Sequence, residues 1–439
     1  MRSPVSRLSA AVFLSMGFAI PAQAALTPAE QAMTRKVEAD RDRAITLLET
    51  LVNQNSGTMN LAGVKAVADM VRPELEALGF SVEWKPMDAV QRAGTLIARH
   101  TGTANRKRLL LIGHLDTVFE PDSPFQRFVR KGDEAEGPGV GDDKGGMVVM
   151  LTALRAMQAA GTLRAANIEI VLSGDEEAAG KPVGTARADL IAAGRRADVA
   201  LDFEGLSVED GQDMGSVSRR SANGWQIVAT GRSGHSSRIF SPAAGDGAIN
   251  EIARILVAFR KELPEPNLTF NTGLIGGGQS AEFDADRAHV TADGKTNIIA
   301  AKAVARGDFR TLSEEQTERV RAKMTAIVSA HAPGTDATIT FDESYPAMAP
   351  TAGNRALLAR LNVINADLGL SAMPELDPLK RGAGDISFVA ADVDGLVGLG
   401  LASRGDHAPG ETVDLGSLDR QAKRAAILMS RLAAEPRDR

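Results

Sequence analysis

Apolar positions recur at helical spacing early in the chain and form short continuous runs after that. The spacing predicts helices at residues 31–53 and 61–78, the second ended by Gly79. Another helix, from Met147 to Met157, separates the second strand-like run from the third. The strand-like runs cover residues 95–99, 108–113, 168–173 and 199–203. This alternation predicts an α/β domain with a mostly parallel sheet.

A polar, glycine-containing segment at residues 210–216 interrupts this pattern, and a different order of elements follows it. The later apolar patterns predict strands at 225–230 and 337–341, helices at 247–263 and 314–331, and a strand-rich segment at 291–308. The sequence therefore predicts an α+β domain at residues 216–345, inserted into a larger domain formed by residues 25–215 and 346–439. The apolar run at 395–401 is predicted to be a late strand of the larger domain's sheet.

The first residues have the pattern of an export signal. Arg2 and Arg7 precede an apolar run at residues 8–20, and Ala22-Gln23-Ala24 follows as a cleavage pattern. The run is shorter than the roughly 20 residues that span a bilayer, which favours a cleaved signal peptide at residues 1–24 over an uncleaved anchor. We therefore expect a periplasmic or secreted protein without membrane attachment after cleavage.

Composition narrows the chemistry that the chain can carry. It has no cysteine and only six histidines in 439 residues, so a metal site would have to use histidine and carboxylate ligands. The formal net charge of −6 and the absence of a basic run argue against a nucleic-acid partner.

Candidate ligands follow the predicted strands at the point where each strand ends. The carboxyl ends of parallel strands open into one crevice, so these groups are expected to lie together. Histidine at a strand end, paired acids and glycine-rich turns each have ordinary structural explanations, but their joint placement favours a hydrolytic site for zinc or a similar divalent ion. The residues are His114, Asp116, Asp142, Asp143, Asp175, Glu176, Glu177, Glu204 and His407.

Five motifs occur in order along the chain: GHLDTVF at 113–119, GPGVGDDKGG at 137–146, SGDEEAAG at 173–180, DFEG at 202–205 and GDHAPGE at 405–411. With them the chain resembles the M20 metallopeptidases, most closely the glutamate carboxypeptidase branch, over nearly the whole mature chain. The resemblance implies two Zn²⁺ ions per subunit, bridged by Asp142.

The resemblance also assigns roles to the other site residues. It implies that His114 and Glu204 complete the ligand set of one ion and that Glu177 and His407 complete the ligand set of the other. Glu176 would be the general base, which must not be a ligand itself because it takes the proton of the attacking water. Asp116 would hold the imidazole of His114 in one tautomer.

The inserted domain carries further family motifs. The segment GRSGHSS at 231–237 contains His235, TNIIA contains Asn297 and GDFR contains Arg310. The resemblance implies that this domain is a lid through which the protein forms a homodimer. His235 would then reach the scissile carbonyl across the subunit interface, and Asn297 and Arg310 would contact the substrate. A surface turn for His235 and an ion pair of Arg310 with Asp308 are the structural alternatives.

The chain departs from the branch at two positions. Tyr345-Pro346 stands where the branch has an Arg-Pro pair that grips the substrate's carboxylate, and Arg381 opens the segment RGAGD where glycine is usual. Our hypothesis is that Arg381 supplies the missing charge. A phenol in place of the clamp would favour a less acidic or more hydrophobic C-terminal residue.

These observations predict a zinc-dependent exopeptidase or amidohydrolase that cleaves an amide bond next to a C-terminal free carboxylate. Its substrates would be small peptides or N-acyl amino acids. The alternatives are an aminopeptidase or dipeptidase of the same family, and a metal-bearing binding protein without catalysis.

Overall fold

The computed structural model describes residues 26–284, 287–343 and 345–437. The predicted signal peptide at residues 1–24 lies outside them. Within the described ranges, no helix has both the length and the apolar character that crossing a membrane requires.

The main helices and strands occupy most of the segments that the apolar pattern marks. The helices are α1 (Pro28–Ala39), α2 (Arg41–Val52), α3 (Leu61–Ala77), α4 (Lys144–Ala159), α5 (Val183–Ala186), α6 (Ala188–Gly194), α7 (Ala248–Glu262), α8 (Glu314–Ser329), α9 (Ala352–Asp367) and α10 (Gly416–Ala433). The strands of the two larger sheets are β1 (Ser81–Met87), β2 (Arg92–His100), β3 (Arg108–His114), β4 (Asn167–Ser173), β5 (Val199–Asp202), β6 (Asn223–Gly231), β7 (Thr269–Gly278), β8 (Lys302–Arg310), β9 (Thr335–Phe341) and β10 (Gly395–Leu396).

The central sheet has the strand order β1-β2-β4-β3-β5-β10. The pairs β3–β4, β3–β5 and β5–β10 are parallel, whereas β1–β2 and β2–β4 are antiparallel. This confirms the predicted α/β class with a mostly parallel sheet. Because β3, β4 and β5 run in the same direction, their carboxyl ends lie at one edge of the sheet.

Both faces of the central sheet are covered, as continuous apolar strands require. Leu109 and Leu111 of β3 belong to the main core, which contains buried residues of α4 and α10. Leu110 and Ile112 point to the opposite face, where they join a second cluster with Leu190 of α6. Two-sided packing of this kind fixes the position of the strand ends.

The second sheet is antiparallel and has the order β7-β8-β6-β9. Its own apolar core contains Trp225 of β6, Ile255 and Phe259 of α7, and Met324 of α8. The chain enters and leaves this unit through adjacent segments that pair at Arg219 with Met348 and at Ala222 with Tyr345.

Smaller pairings complete the architecture, and one of them carries a predicted ligand. His407 lies between the short strands Ala402–Arg404 and Thr412–Asp414, which belong to a small antiparallel sheet with Val129–Lys131 and Glu134–Glu136. Other short pairs join Gly234–His235 to Ile298–Ile299, Ser280–Phe283 to Val290–Asp293, and Val208–Glu209 to Gln212–Asp213.

Two element predictions were wrong in their extent. The helix predicted at 31–53 is divided at Asp40, which leaves helical geometry (φ −95°, ψ 1°) and pairs with Lys36 and Arg155. In the strand predicted at 395–401, only Gly395–Leu396 pairs with the sheet. Gly398 has a φ of +86°, and this left-handed conformation turns the chain away.

Candidate active site

The loops at the carboxyl edge of the central sheet hold the predicted ligands. His114 is the last residue of β3, residues 175–177 follow β4, and Glu204 follows β5. Asp142 lies two positions before Lys144, the first residue of α4, and His407 approaches from the small antiparallel sheet.

Asp142 lies between the two predicted histidine ligands. Its Oδ1 is 2.8 Å from Nε2 of His114, and its Oδ2 is 3.0 Å from Nε2 of His407. The same nitrogen of His407 is 3.2 Å from Oε2 of Glu177. Ligand atoms of His114, Asp142 and Glu177 all lie within 4.8 Å of one another, a grouping that could hold a metal ion.

Asp116 connects His114 to the loop of Asp175, Glu176 and Glu177, which we call the acidic loop. Nδ1 of His114 is 3.1 Å from the main-chain oxygen of Asp116 and 3.4 Å from its Oδ1, which directs Nε2 toward Asp142. The fully buried carboxylate also accepts hydrogen bonds from the N–H groups of Glu176 and Glu177, at 3.0 and 3.2 Å. It therefore holds the loop as well as the imidazole.

Glu411 positions the loop that presents Asp142. Its buried carboxylate accepts hydrogen bonds from the N–H groups of Gly139, Gly141 and Asp142 at 2.9, 2.8 and 3.0 Å. Glu411 ends the motif GDHAPGE, and its structural role was not predicted. Its placement four residues after a predicted ligand was the available signal.

Glu204 is paired with arginine instead of standing free. Its Oε2 is 2.5 Å from Nη1 of Arg219 and 3.7 Å from Nη2 of Arg381. A Cβ at Gly384 would lie 2.2 Å from Nη1 of Arg219, so the glycine of RGAGD makes room for this pair. The structure therefore does not gather Glu204 into the cluster of His114, Asp142 and Glu177.

The predicted general base, Glu176, is half-buried beside this cluster. Burial, and then the nearby carboxylates of Glu204, Asp385 and Glu177, raises the pKa of Glu176 well above its ordinary value. A raised pKa suits a carboxylate that has to take and return a proton near neutral pH.

The cluster has the electrostatic character of a cation site. Burial, and then Asp142, raises the pKa of Glu177 to about 8, and the hydrogen bond to Asp142 is the main cause that raises the pKa of His407 to about 9. Burial opposes ionisation of Asp142, but the hydrogen bonds from His114 and His407 hold its pKa far below the ordinary value. Crowded acids of this kind retain protons unless a cation compensates their charge.

The donor set fits a divalent ion. Two imidazole nitrogens face one carboxylate, and among the described residues Oε1 of Glu177 is buried without a hydrogen-bond partner. Nitrogen and carboxylate donors without thiolate are those that hydrolytic zinc sites use.

Of the residues predicted from the inserted domain, His235 and Asn297 make their hydrogen bonds within the unit built around the second sheet (the second-sheet unit), whereas Arg310 also reaches beyond it. His235 is exposed, with Nδ1 2.8 Å from Oγ of Ser237. The main-chain oxygen of Asn297 accepts from Ser236 at 3.0 Å. Nε of Arg310 is 3.4 Å from Oδ2 of Asp308, and its Nη1 would lie 3.4 Å from a Cβ at Gly382, so its guanidinium reaches the loop of residues 381–385.

Arg381 and Tyr345 are engaged by the protein. Nη2 of Arg381 donates to the main-chain oxygen of Gly205 at 2.7 Å. The hydroxyl of Tyr345 donates to the main-chain oxygen of Glu176 and accepts from Nη2 of Arg187, both at 2.7 Å. Sequence reasoning missed Arg187 and Arg219, because neither belongs to a motif and only folding brings them to the site.

The profile of peptidase family M20/M25/M40 matches residues 110–431. The chain belongs to this family. The resemblance inferred from the motifs is confirmed, and this M20 peptidase is a metal-binding hydrolase. Members of the family typically depend on two metal ions.

Individual relatives are distant but cover nearly the whole chain. Carboxypeptidase G2 of Pseudomonas sp. is 25% identical over 447 residues, which cover 99% of this chain and 100% of that protein. A succinyl-diaminopimelate desuccinylase of Variovorax paradoxus is 24% identical, with 86% of this chain and 95% of that protein covered.

Two solved structures share the fold of this M20 peptidase. Aminopeptidase PepT from Bacillus cereus has a TM-score of 0.70 at 18% identity, covering 90% of this chain and 99% of that chain. The YXEP protein of Bacillus subtilis, a dinuclear metal binding peptidase from the M20 family, has a TM-score of 0.61 at 16% identity, with the same coverage.

Proposed function

We propose that this M20 peptidase is a zinc-dependent exopeptidase or amidohydrolase that cleaves an amide bond next to a C-terminal free carboxylate. The observation that carries the proposal is Asp142 held between Nε2 of His114 and Nε2 of His407, with Glu176 beside them. With an imidazole beside each of its oxygens, the carboxylate of Asp142 would be available to help hold two ions. The similarity to carboxypeptidase G2 over the whole chain supports the carboxypeptidase assignment.

Five side chains would hold two zinc ions: His114, Asp142, Glu177, Glu204 and His407. For Glu204 this requires that its carboxylate be shared with, or released from, Arg219. When bound, the ions would supply Lewis acidity and lower the pKa of a water molecule. Glu176 would take the proton of the attacking water and deliver it to the leaving amine, a transfer that requires its carboxylate to stay free of the metal.

Recognition of the substrate's carboxylate is proposed for Asn297, Arg310 and Arg381. Arg310 is half-exposed and reaches Gly382, so it lies between the second-sheet unit and the loop that Arg381 opens. Arg381 is committed to the main chain of Gly205, and a direct contact with substrate would require it to exchange that bond.

We propose a homodimer formed through the second-sheet unit, in which His235 contributes to the partner's site. Exposed apolar side chains on this unit support it: Ile249 and Val257 on α7, and Ile275 on the edge strand β7. Light scattering of the purified protein and of Val257→Lys tests the dimer. Export to the periplasm or medium is proposed from residues 1–24 alone, and cell fractionation tests it.

Three matched substrates test the reaction: an N-acetyl amino acid, a free dipeptide, and the same dipeptide with an amidated C terminus. Each is assayed with and without a chelator, and the test variant is Glu176→Gln. The control is Glu282→Gln, which changes an exposed side chain on the strand Ser280–Phe283. We expect chelator-sensitive release from the first two substrates, abolished in Glu176→Gln and retained in Glu282→Gln.

The substrate pattern separates this proposal from its alternatives. Cleavage of the amidated dipeptide but not of the N-acetyl amino acid would indicate an aminopeptidase, because that activity needs a free amine. Cleavage of no substrate by metal-loaded protein would favour a binding protein that has lost catalysis.

A further inference from the structure

The main chain of Glu176 is held at both ends by side chains from distant parts of the fold. Its N–H donates to Oδ1 of Asp116 at 3.0 Å, and its carbonyl oxygen accepts from the hydroxyl of Tyr345 at 2.7 Å. Tyr345 lies 169 residues further along the chain, in the segment that returns from the second sheet. The contact therefore exists only in the folded protein.

Arg187 sets the direction of the tyrosine hydroxyl. Its Nη2 donates to the phenol oxygen at 2.7 Å, and a guanidinium has donors but no acceptor. The phenol proton must therefore point away from Arg187, toward the carbonyl of Glu176. Arg187 is 1% exposed and is itself fixed by Asp175 and Asp385, at 2.6 and 2.7 Å.

The tyrosine ring is also fixed. It packs edge-on against Phe388, with ring centroids 4.9 Å apart, and the guanidinium of Arg187 lies 5.7 Å from its centre. With the ring packed and the hydroxyl proton engaged, the side chain is oriented toward the acidic loop and not toward an incoming substrate group.

We propose that Tyr345 is a positioning residue for Glu176, oriented by Arg187, and not the specificity residue that its place in the sequence suggests. This inference rests on the proposed function for its catalytic consequence but not for its structural one. Holding the carbonyl of Glu176 restricts rotation of the peptide from which the carboxylate projects, and proton transfer is sensitive to small errors in such geometry.

The test is Tyr345→Phe, which removes the hydroxyl and keeps the ring against Phe388. Replacing Arg187 instead would leave Asp175 and Asp385 buried without a cation, and such a variant is expected to fold poorly. The control is Thr152→Val within α4. This change also removes a buried hydroxyl, which donates to the main-chain oxygen of Val148 at 2.7 Å.

We expect kcat to fall about tenfold in Tyr345→Phe with KM within about twofold of the wild type, and with unchanged metal content. Hydrogen exchange of the peptide covering residues 174–180, followed by mass spectrometry, should become faster in Tyr345→Phe and stay unchanged in Thr152→Val. Exchange requires no substrate, so it tests the positioning role even if the wild type cleaves nothing and the proposed function fails.

Two results would overturn the inference. The first is unchanged exchange at residues 174–180 in Tyr345→Phe, because the hydroxyl would then not be holding the loop. The second is an unchanged kcat with a KM that shifts according to the substrate's C-terminal residue, because the phenol would then face the substrate.

Discussion

Replacing Asp116 with asparagine should loosen the acidic loop without freeing the imidazole of His114. The first hydrogen bond of Nδ1 is to the main-chain oxygen of residue 116, which any residue supplies. The carboxylate oxygens divide the other donors: Oδ1 accepts from the N–H of Glu176, while Oδ2 accepts from the N–H of Glu177 and from the hydroxyl of Thr58.

The asparagine NH₂ group should take the place of Oδ2, because the Thr58 hydroxyl can rotate to accept from it. The N–H of Glu177 is then left without an acceptor, which costs about 1–3 kcal/mol for a buried group. The pKa of Asp116 is lowered in spite of burial, mainly through its hydrogen bond with His114, so the surroundings favour the charged form. Loss of that charge should therefore also lower the stability of the folded protein.

We therefore expect Asp116→Asn to reduce the free energy of unfolding of the metal-free protein by about 1–3 kcal/mol. Metal affinity should fall about 10- to 100-fold, because Glu177 is a proposed ligand. Urea denaturation followed by circular dichroism measures the first quantity, and competition with a metal indicator measures the second.

The matched control is Asp284→Asn on an exposed turn of the second-sheet unit. There a single oxygen, Oδ1, accepts from the N–H groups of Ala288 and His289, and asparagine keeps that oxygen. Asp284→Asn should therefore leave both the free energy of unfolding and the metal affinity close to the wild-type values. If Asp116→Asn behaves like this control in both measurements, the carboxylate does not hold the loop and the reasoning is wrong.

Three further perturbations address the metal site. Glu411→Ala leaves three backbone N–H groups without acceptors, so the metal-free protein should lose about 3 kcal/mol in urea denaturation and the variant should purify with less metal. Metal affinity should rise with pH up to about 9, because Glu177 (pKa about 8) and His407 (pKa about 9) must lose protons to bind the metal. Calorimetry in buffers of different ionisation enthalpy should therefore detect proton release when metal binds at pH 7. The absence of proton release would contradict these pKa shifts. Arg219→Met should make the stabilisation by added Zn²⁺ larger than in the wild type, because Glu204 is released for the metal; a smaller gain in thermal-shift measurements would argue against Glu204 as a ligand.

Strand predictions succeeded most clearly where both faces of a strand are buried. The continuous apolar stretches at 109–112 and 170–172 lie in β3 and β4, whose side chains enter a buried cluster on each face of the sheet. The strand Ser81–Met87 and the helices α9 and α10 were not predicted. The strand has mostly exposed or half-buried side chains, so its pattern of apolar residues is weak.

The sequence by itself determined the family, the α/β class and the positions of the candidate ligands along the chain. Those depend on local patterns: a ligand placed directly after a strand stays at the strand's end once the sheet forms. His114 and Glu177 lie at the same edge of the sheet for this reason, and Asp142 and His407 join them from the loop before α4 and from the small antiparallel sheet.

Tertiary structure alone decided what surrounds the ligands. The contacts of Arg219 with Glu204, of Arg187 and Tyr345 with the acidic loop, and of Glu411 with the loop of Asp142 join separate elements of the fold. A buried charge or hydroxyl needs a hydrogen-bond partner, and the packing of the folded chain decides which residue supplies it. The pattern of apolar and polar residues along the chain does not show which residue that is. Tyr345 illustrates the difference, since its position suggested substrate specificity and its contacts instead connect it to Glu176.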